Sequence, residues 1–241
     1  VHTLPKRLYY DYKNVLQAGE MNVRRVMVAS NAAACLIASD PNLPRDYILV
    51  DIGSCLTTVS LIGNAELFAS RFFEWGGDKI TDKIIETFNI NEAEAEKIKI
   101  TYGIDKRQMN FKAPVCRTDD GEGNEIKHYA DELNAIIKSE LESFLNSLKA
   151  SIDELLNGYD PAYKTLPIIL TGGGSRLSGL VDYLEPKVES EKVYTFVPKT
   201  LGARNATFVN CLGMILANAK YPSAYDENHP RVGQVTRDPV K

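Results

Sequence analysis

The sequence predicts an α/β fold, and three observations carry the prediction. Short apolar runs alternate along the chain with segments of helical periodicity. Two of those runs end in glycine-bearing turns, Asp51-Ile52-Gly53 and Gly172-Gly173-Gly174. A third segment, from about Tyr129 to Leu156, repeats apolar residues at helical spacing over many turns. At 241 residues the chain can bury a substantial core, as one large domain or two subdomains.

Residues 1–22 hold Pro5, Lys6, Arg7 and the cluster Tyr9-Tyr10-Asp11-Tyr12, and read as an N-terminal extension or the remnant of a preceding region. Asn31 to Ala38 reads as a helix entering the buried strand that starts at Tyr47 and ends in Asp51-Ile52-Gly53. Thr57 to Ile62 continues as a second strand, Gly63-Asn64 supplies a turn, and Glu66 to Phe73 is a third strand. Asp78 to Phe88 is a helix with Ile80, Ile84 and Ile85 on one side, and Asn91 caps the next helix before an acidic first turn. Met109 to Lys127 reads as strand, polar surface loop (residues 119–124) and strand, with no catalytic signature.

In the long helix, Leu133, Ile136, Ile137, Leu141, Phe144, Leu145, Leu148, Ile152 and Leu155 form a stripe most simply explained by core packing. Asp160-Pro161 ends that region, and Leu166 to Leu170 is the strand feeding the glycines and a helix start. Phe208 to Ala219 is an apolar run too short and too interrupted to span a bilayer. Residues 221–241, with Pro222, Pro230 and Pro239 and few apolar residues, read as a flexible tail. No signal peptide is read.

Composition narrows the function class. A net charge of −4, a pI near 5.5 and no basic stripe argue against nucleic acid as a partner. Cys35, Cys55, Cys116 and Cys211 are widely separated with no CxxC spacing, which predicts reduced thiols of a cytosolic protein and neither a metal site nor a disulfide scaffold.

Glycine lacks a Cβ, so Gly172, Gly173 and Gly174 can take positive φ and let a flat or charged group lie against the main chain. Free N–H groups at a following helix N-terminus favour an anion or polar edge. Tight packing alone also explains such a turn. Upstream, strand, Asp-x-Gly turn and hydroxyl-bearing strand make a phosphate-hairpin pattern, in which Asp51 can hold a hydrated Mg2+ while Thr57 or Thr58 and the turn amides bond phosphate oxygens. Glu96 and Lys99, at i and i+3, share one helix face, and on spacing alone they read as a solvated charge pair.

Four motifs in order, Asp51-Ile-Gly53, Gly76-Gly77-Asp78 before a helix, Glu94-Ala-Glu-Lys-Ile-Lys99 and Leu170-Thr-Gly-Gly-Gly-Ser-Arg176, resemble the second half of an actin-like ATPase over roughly residues 23–220. Among those the chain is most similar to FtsA, the bacterial division protein, with MreB, PilM and DnaK-type chaperones as relatives. Pro198-Lys-Thr-Leu-Gly-Ala-Arg204 and the apolar helix with Gly213 also resemble FtsA-like chains. The resemblance implies an actin-like (ribonuclease H-like) α/β domain, with a mixed five-stranded sheet flanked by helices and an inserted upper subdomain. It implies a lower subdomain over residues 23–79 and 161–220, an upper one over 80–160, and a first domain preceding Val1.

By the same resemblance Asp51, Gly53 and Thr57 match the second phosphate loop, with Asp51 at the metal. Gly172, Gly173 and Gly174, with Arg176, match the adenosine loop, and Glu96 and Lys99 approach the ribose and adenine. ATP and Mg2+ are the implied cofactors, and no residue is assigned as catalytic. The family's loop usually reads Asp-x-Gly-Gly-Gly-Thr-Thr-Asp, whereas Ser54, Cys55, Leu56, Thr57 and Thr58 follow Gly53 here. Side chains at those glycine positions crowd a phosphate unless the backbone shifts, so at most a weak ATPase is expected. Cys55 reads either as a thiol near phosphates or as a small filler.

An FtsA-like chain is expected to bind ATP between its halves, self-associate into filaments and link the tubulin-like FtsZ ring to the membrane through a segment outside this chain. That places it in the cytoplasm, peripheral at the inner face of the cell membrane. Where the family often carries Pro-Arg on the FtsZ-docking helix, the nearest register here is Ser139-Glu140, leaving Lys138, Lys149 and His128 as basic contacts or merely solvated groups. The alternative is a non-hydrolysing PilM-like or degenerate actin-like scaffold of a membrane-associated assembly. A chaperone or sugar-kinase half ranks last.

Overall fold

The sheet is built from the most apolar runs of the chain. In the computed structural model, which describes residues 5–21, 23, 25–104, 113–119, 122 and 124–220, helices α1 (Lys6–Ala18) and α2 (Ala29–Ile37) precede strands β1 (Tyr47–Ile52), β2 (Thr57–Gly63) and β3 (Glu66–Phe73). Helices α3 (Gly77–Phe88) and α4 (Glu92–Tyr102), the hairpin β4 (Pro114–Asp119) and β5 (Glu125–Tyr129), and the 27-residue helix α5 (Ala130–Leu156) follow. The chain then returns through β6 (Ile168–Thr171), α6 (Leu180–Leu184), β7 (Val193–Thr195) and α7 (Val209–Lys220). The sheet order is β3-β2-β1-β6-β7, antiparallel from β3 to β1 and parallel from β1 to β7. This is the mixed five-stranded sheet flanked by helices that the resemblance implied.

Burial explains the order. β1 and β6, the central strands, are buried along almost their whole length, as near-continuous apolar runs require. One face of the sheet packs with Leu133, Ile137, Leu141, Phe144 and Leu148 of α5 in the main core, each side chain worth about 1.5–3 kcal/mol relative to exposure. The other face carries Tyr47, Leu49, Ile62 and Ile169 against Ala33, Ala34 and Ile37 of α2 and Val209 of α7. α2 and α7 cross so closely that a Cβ on Gly213 would collide with the Ala32 carbonyl, and that contact brings α7 onto the sheet.

Several expectations are corrected in detail. The β2–β3 turn is Asn64-Ala65, both left-handed at φ 49° and 64°, one residue beyond the expected Gly63-Asn64 pair. Residues 6–18 form a helix with no buried residue, where only an extension was read. β7, three residues long, had no sequence signal. The glycines lead into a three-residue 3-10 turn, Gly174–Arg176, and the five-residue α6, instead of directly into an α-helix. Residues 109–112, 120, 121 and 123 of the expected strand-loop-strand and the tail 221–241 lie outside the described residues. Among the described residues no helix is long and apolar enough to cross a membrane.

Candidate functional site

Two turns face each other at the ends of adjacent parallel strands. The hairpin turn between β1 and β2 closes with Gly53 N–H donating to Leu56 O at 2.9 Å. It is held from below by the start of α3, where the amides of Gly77 and Asp78 donate to the carbonyls of Gly53 (3.0 Å) and Ser54 (2.9 Å). α3 has no side-chain cap, so these carbonyls satisfy donors its first turn leaves open. A Cβ on Gly76 would run into the Ser54 backbone, so this close approach requires glycine at that position.

The glycine turn after β6 packs just as closely, though only at two of its three residues. Gly172 has φ +82°, and a Cβ there would meet Asp51 Oδ1 and the Ile52 carbonyl. A Cβ on Gly174 would overlap the Ile52 side chain. At Gly173 a Cβ would meet only Thr207 Cγ2 at 3.5 Å, an ordinary contact, with helical φ and ψ of −61° and −41°. Gly172 and Gly174 are therefore glycine for packing, and Gly173 alone keeps its backbone open for approach.

α4 supplies the opposite wall. Asn91 caps it as expected, its side chain accepting from Glu94 N–H at 3.0 Å and donating back to Glu94 Oε2 at 3.0 Å. Acidic residues in the first turn and Lys99 in the last suit the helix dipole. Lys99 Nζ bonds Glu96 Oε2 at 2.6 Å, Thr81 Oγ1 at 2.8 Å and Gly77 O at 3.0 Å, while Thr81 Oγ1 also donates to Glu96 Oε2 at 2.8 Å. Partial burial pushes the Glu96 carboxyl up, yet the hydrogen bonds from Lys99 and Thr81 outweigh it and hold the group below the usual glutamate range.

These elements enclose a cavity of about 350 Å³. Of the expected binding residues, Gly53, Glu96, Lys99, Gly173, Gly174 and Arg176 line it together. Its polar rim is completed by Ser54, Asp78 and Thr207, and its apolar wall by Trp75, Ile80, Leu141, Phe144 and their neighbours. Asp51, Thr57 and Gly172 are not among its lining residues. Asp51 is half-buried with Oδ2 accepting from Asn210 Nδ2 at 2.8 Å. Thr57 is fully buried, and its hydroxyl donates inward to the Trp75 carbonyl at 2.7 Å. Cys55 is exposed at the hairpin tip, its thiol 3.2 Å from Asp78 Oδ2.

Sequence reasoning missed Thr81, Trp75, Thr207 and Asn210 and read Leu141 and Phe144 only as core. The one available signal was Thr81, a turn after Gly77 on a helix whose start was already singled out. Thr207 is brought over Gly173 by tertiary structure alone: Thr171 Oγ1 donates to Ala206 O at 3.4 Å, and Asn205 caps the short 3-10 turn that follows. Among the described residues no cluster of three or more His, Cys, Asp or Glu forms a ready-made metal site.

The sequence profile of the family described as "Cell division protein FtsA" matches residues 48–213. The FtsA of Enterococcus faecalis is 27% identical over 230 residues, covering 93% of this chain and 50% of that protein. That of Streptococcus pneumoniae is 24% identical over 218 residues, covering 89% and 46%. The chain thus spans about half the length of the curated relatives it matches. Among solved structures, MreB 5 of Spiroplasma citri bound to AMPPNP superposes with a TM-score of 0.69 at 18% identity, covering 90% of this chain and 66% of that one. A PilM-PilN type IV pilus biogenesis complex gives 0.63 at 19% identity, covering 86% and 56%. At such identities these likenesses establish an actin-like fold and nothing further.

Proposed function

The chain belongs to the FtsA family of cell-division proteins, and from that premise we propose that it is the second-domain half of an actin-like protein that holds ATP with Mg2+ at the cavity between its two glycine-bearing turns. The observation that carries this reading is the convergence of Gly53, Glu96, Gly173, Gly174 and Arg176, from three separate parts of the sequence, around one cavity. In this assignment the base and ribose lie between α4 and Gly173, with Arg176 beside them. The phosphates lie toward the hairpin turn.

The charges around the cavity suit a nucleotide that brings its own metal ion. Asp78 and Glu96 face the cavity, and Glu74, Asp82 and Glu92 line the groove beside it. A polyphosphate would meet like charge there unless a divalent cation came with it. Asp51, with Oδ2 engaged by Asn210 and Oδ1 beside Gly172, does not line the cavity, so it would act on such an ion only at second hand, through water. The ion would neutralise phosphate charge, and Asn210 would keep the carboxylate oriented.

Ordered stacking into filaments and linkage of FtsZ to the membrane follow from the family as proposals for the whole protein, peripheral at the inner face of the cytoplasmic membrane. A specific observation favours a non-hydrolysing scaffold as the second reading: the hairpin presents the side chains of Ser54 and Cys55, with Leu56 42% exposed, where the family carries Gly-Gly-Thr. In that reading nucleotide binding is weak or absent and the fold alone is used. Photolabelling of the full-length protein with azido-ATP tests the proposal. Labelled peptides are expected around residues 96–100 and 173–177, competed by unlabelled ATP. Labelling confined elsewhere, or not competed, refutes the site.

A further inference from the structure

We infer that Lys99 is a positioning residue, with Thr81 as its anchor, that ties α4 to the hairpin turn and does not itself contact the ligand. A protonated lysine has three N–H donors and no acceptor. In this structure all three have partners: Gly77 O, Thr81 Oγ1 and Glu96 Oε2, at 3.0, 2.8 and 2.6 Å. The side chain is only 11% exposed, against 43% for Glu96. To bond this ammonium a ligand would have to displace one of three charge-assisted hydrogen bonds, one of them to the buried Thr81 hydroxyl.

The partners explain what the arrangement does. Gly77 O accepts from Lys99 while the Gly77 amide donates to Gly53 O, and the next amide, Asp78, donates to Ser54 O. One peptide group thus joins the hairpin turn on one side to the α4 ammonium on the other. A Cβ on Gly77 would make only ordinary contacts, 3.4 Å from Lys99 Nζ and 3.9 Å from Gly53 O, so the join is made by the backbone groups of Gly77 and not by its lack of a side chain. Thr81 is buried, and its hydroxyl accepts from Lys99 while donating to Glu96, so it fixes both side chains at once. Movement of the hairpin turn is therefore transmitted to the Glu96 wall, and the reverse.

The affinity half of the test rests on the nucleotide reading above, and the exchange half does not. In the full-length protein without nucleotide, Lys99→Met and Thr81→Val should each speed hydrogen–deuterium exchange in peptides covering residues 53–56 and 77–81 by about tenfold. Thr81→Ser, which restores the hydroxyl, should exchange like wild type. Calorimetric affinity for Mg-ATP should fall about tenfold in Lys99→Met and Thr81→Val and recover in Thr81→Ser. Unchanged exchange in both variants overturns the inference, and if affinity is lost at the same time Lys99 is a direct ligand contact. Wild-type protein that binds no Mg-ATP, with the exchange pattern still present, removes the nucleotide reading and leaves the positioning role standing. Thr81→Val keeps the volume of the side chain, so the test survives if Lys99→Met fails to fold.

Discussion

The hairpin turn and the glycine turn sit on adjacent strands and face the same cavity, yet they are built on opposite rules. In the glycine turn, Gly172 and Gly174 lie against Asp51 and Ile52 with no room for a Cβ, so the fold itself demands them. In the hairpin turn, Ser54, Cys55 and Leu56 are exposed side chains, and the tight spots have moved to Gly53 and Gly76 beneath it. A glycine-rich motif therefore mixes two kinds of position, those that let the chain pack on itself and those that let a ligand approach. Only the first kind is protected by stability, so loss of glycines at the hairpin leaves the architecture intact while changing what it can hold.

The sharpest way to break this comparison is at Gly172. Replacement by alanine places a Cβ at φ +82° against Asp51 and the Ile52 carbonyl. The left-handed backbone costs about 1–2 kcal/mol and the overpacking about 1–3 kcal/mol more. Urea denaturation of Gly172→Ala should show that loss, whereas Gly173→Ala should stay within about 0.5 kcal/mol of wild type. Equal losses at the two positions would erase the distinction drawn between them.

A smaller effect is expected at the rim. Burial works to raise the Glu96 pKa, but the hydrogen bonds from Lys99 and Thr81 and the Lys99 charge together outweigh it and leave it depressed in the folded protein. The pair's stabilisation is thus fully present above the ordinary glutamate value of 4.5 and is lost as pH falls through the lower folded value. With the Glu96 side chain 43% exposed, solvent limits it to about 1 kcal/mol or less. Thermal denaturation of wild type and Glu96→Gln across pH 3–7 should show their difference shrinking on the acid side; a constant difference would mean the carboxylate charge is not what matters.

The smallest effect on stability belongs to the hairpin tip. Cys55→Gly, at an exposed residue, should cost no more than about 1 kcal/mol in urea denaturation. Under the nucleotide reading it should tighten Mg-ATP binding by removing a side chain from the phosphate path. Weaker binding would show that the thiol or its contact with Asp78 supports the site.

Much of the fold was legible because its signals were local. Apolar runs gave β1, β2 and β3 to within a residue, Asn91 declared the start of α4, and the stripe from Leu133 to Leu155 declared α5. β7 and α6 were not legible, being three and five residues that owe their form to pairing and packing with distant segments. At the cavity the glycine turn could be found from sequence, but which glycine faces open space depends on where Asp51, Ile52 and Thr207 end up. Thr57 illustrates the same limit, since a hydroxyl in a phosphate-loop pattern is turned inward by a carbonyl, that of Trp75, 18 residues away.

The most direct test of the central claim is calorimetric titration of Mg-ATP into the full-length protein, beside a Gly173→Val variant. Because Gly173 is the glycine whose Cβ the fold accommodates, the variant should remain folded and lose binding that the wild type shows. Binding retained in full by folded Gly173→Val, or none by folded wild type, would contradict the nucleotide site assigned to this cavity.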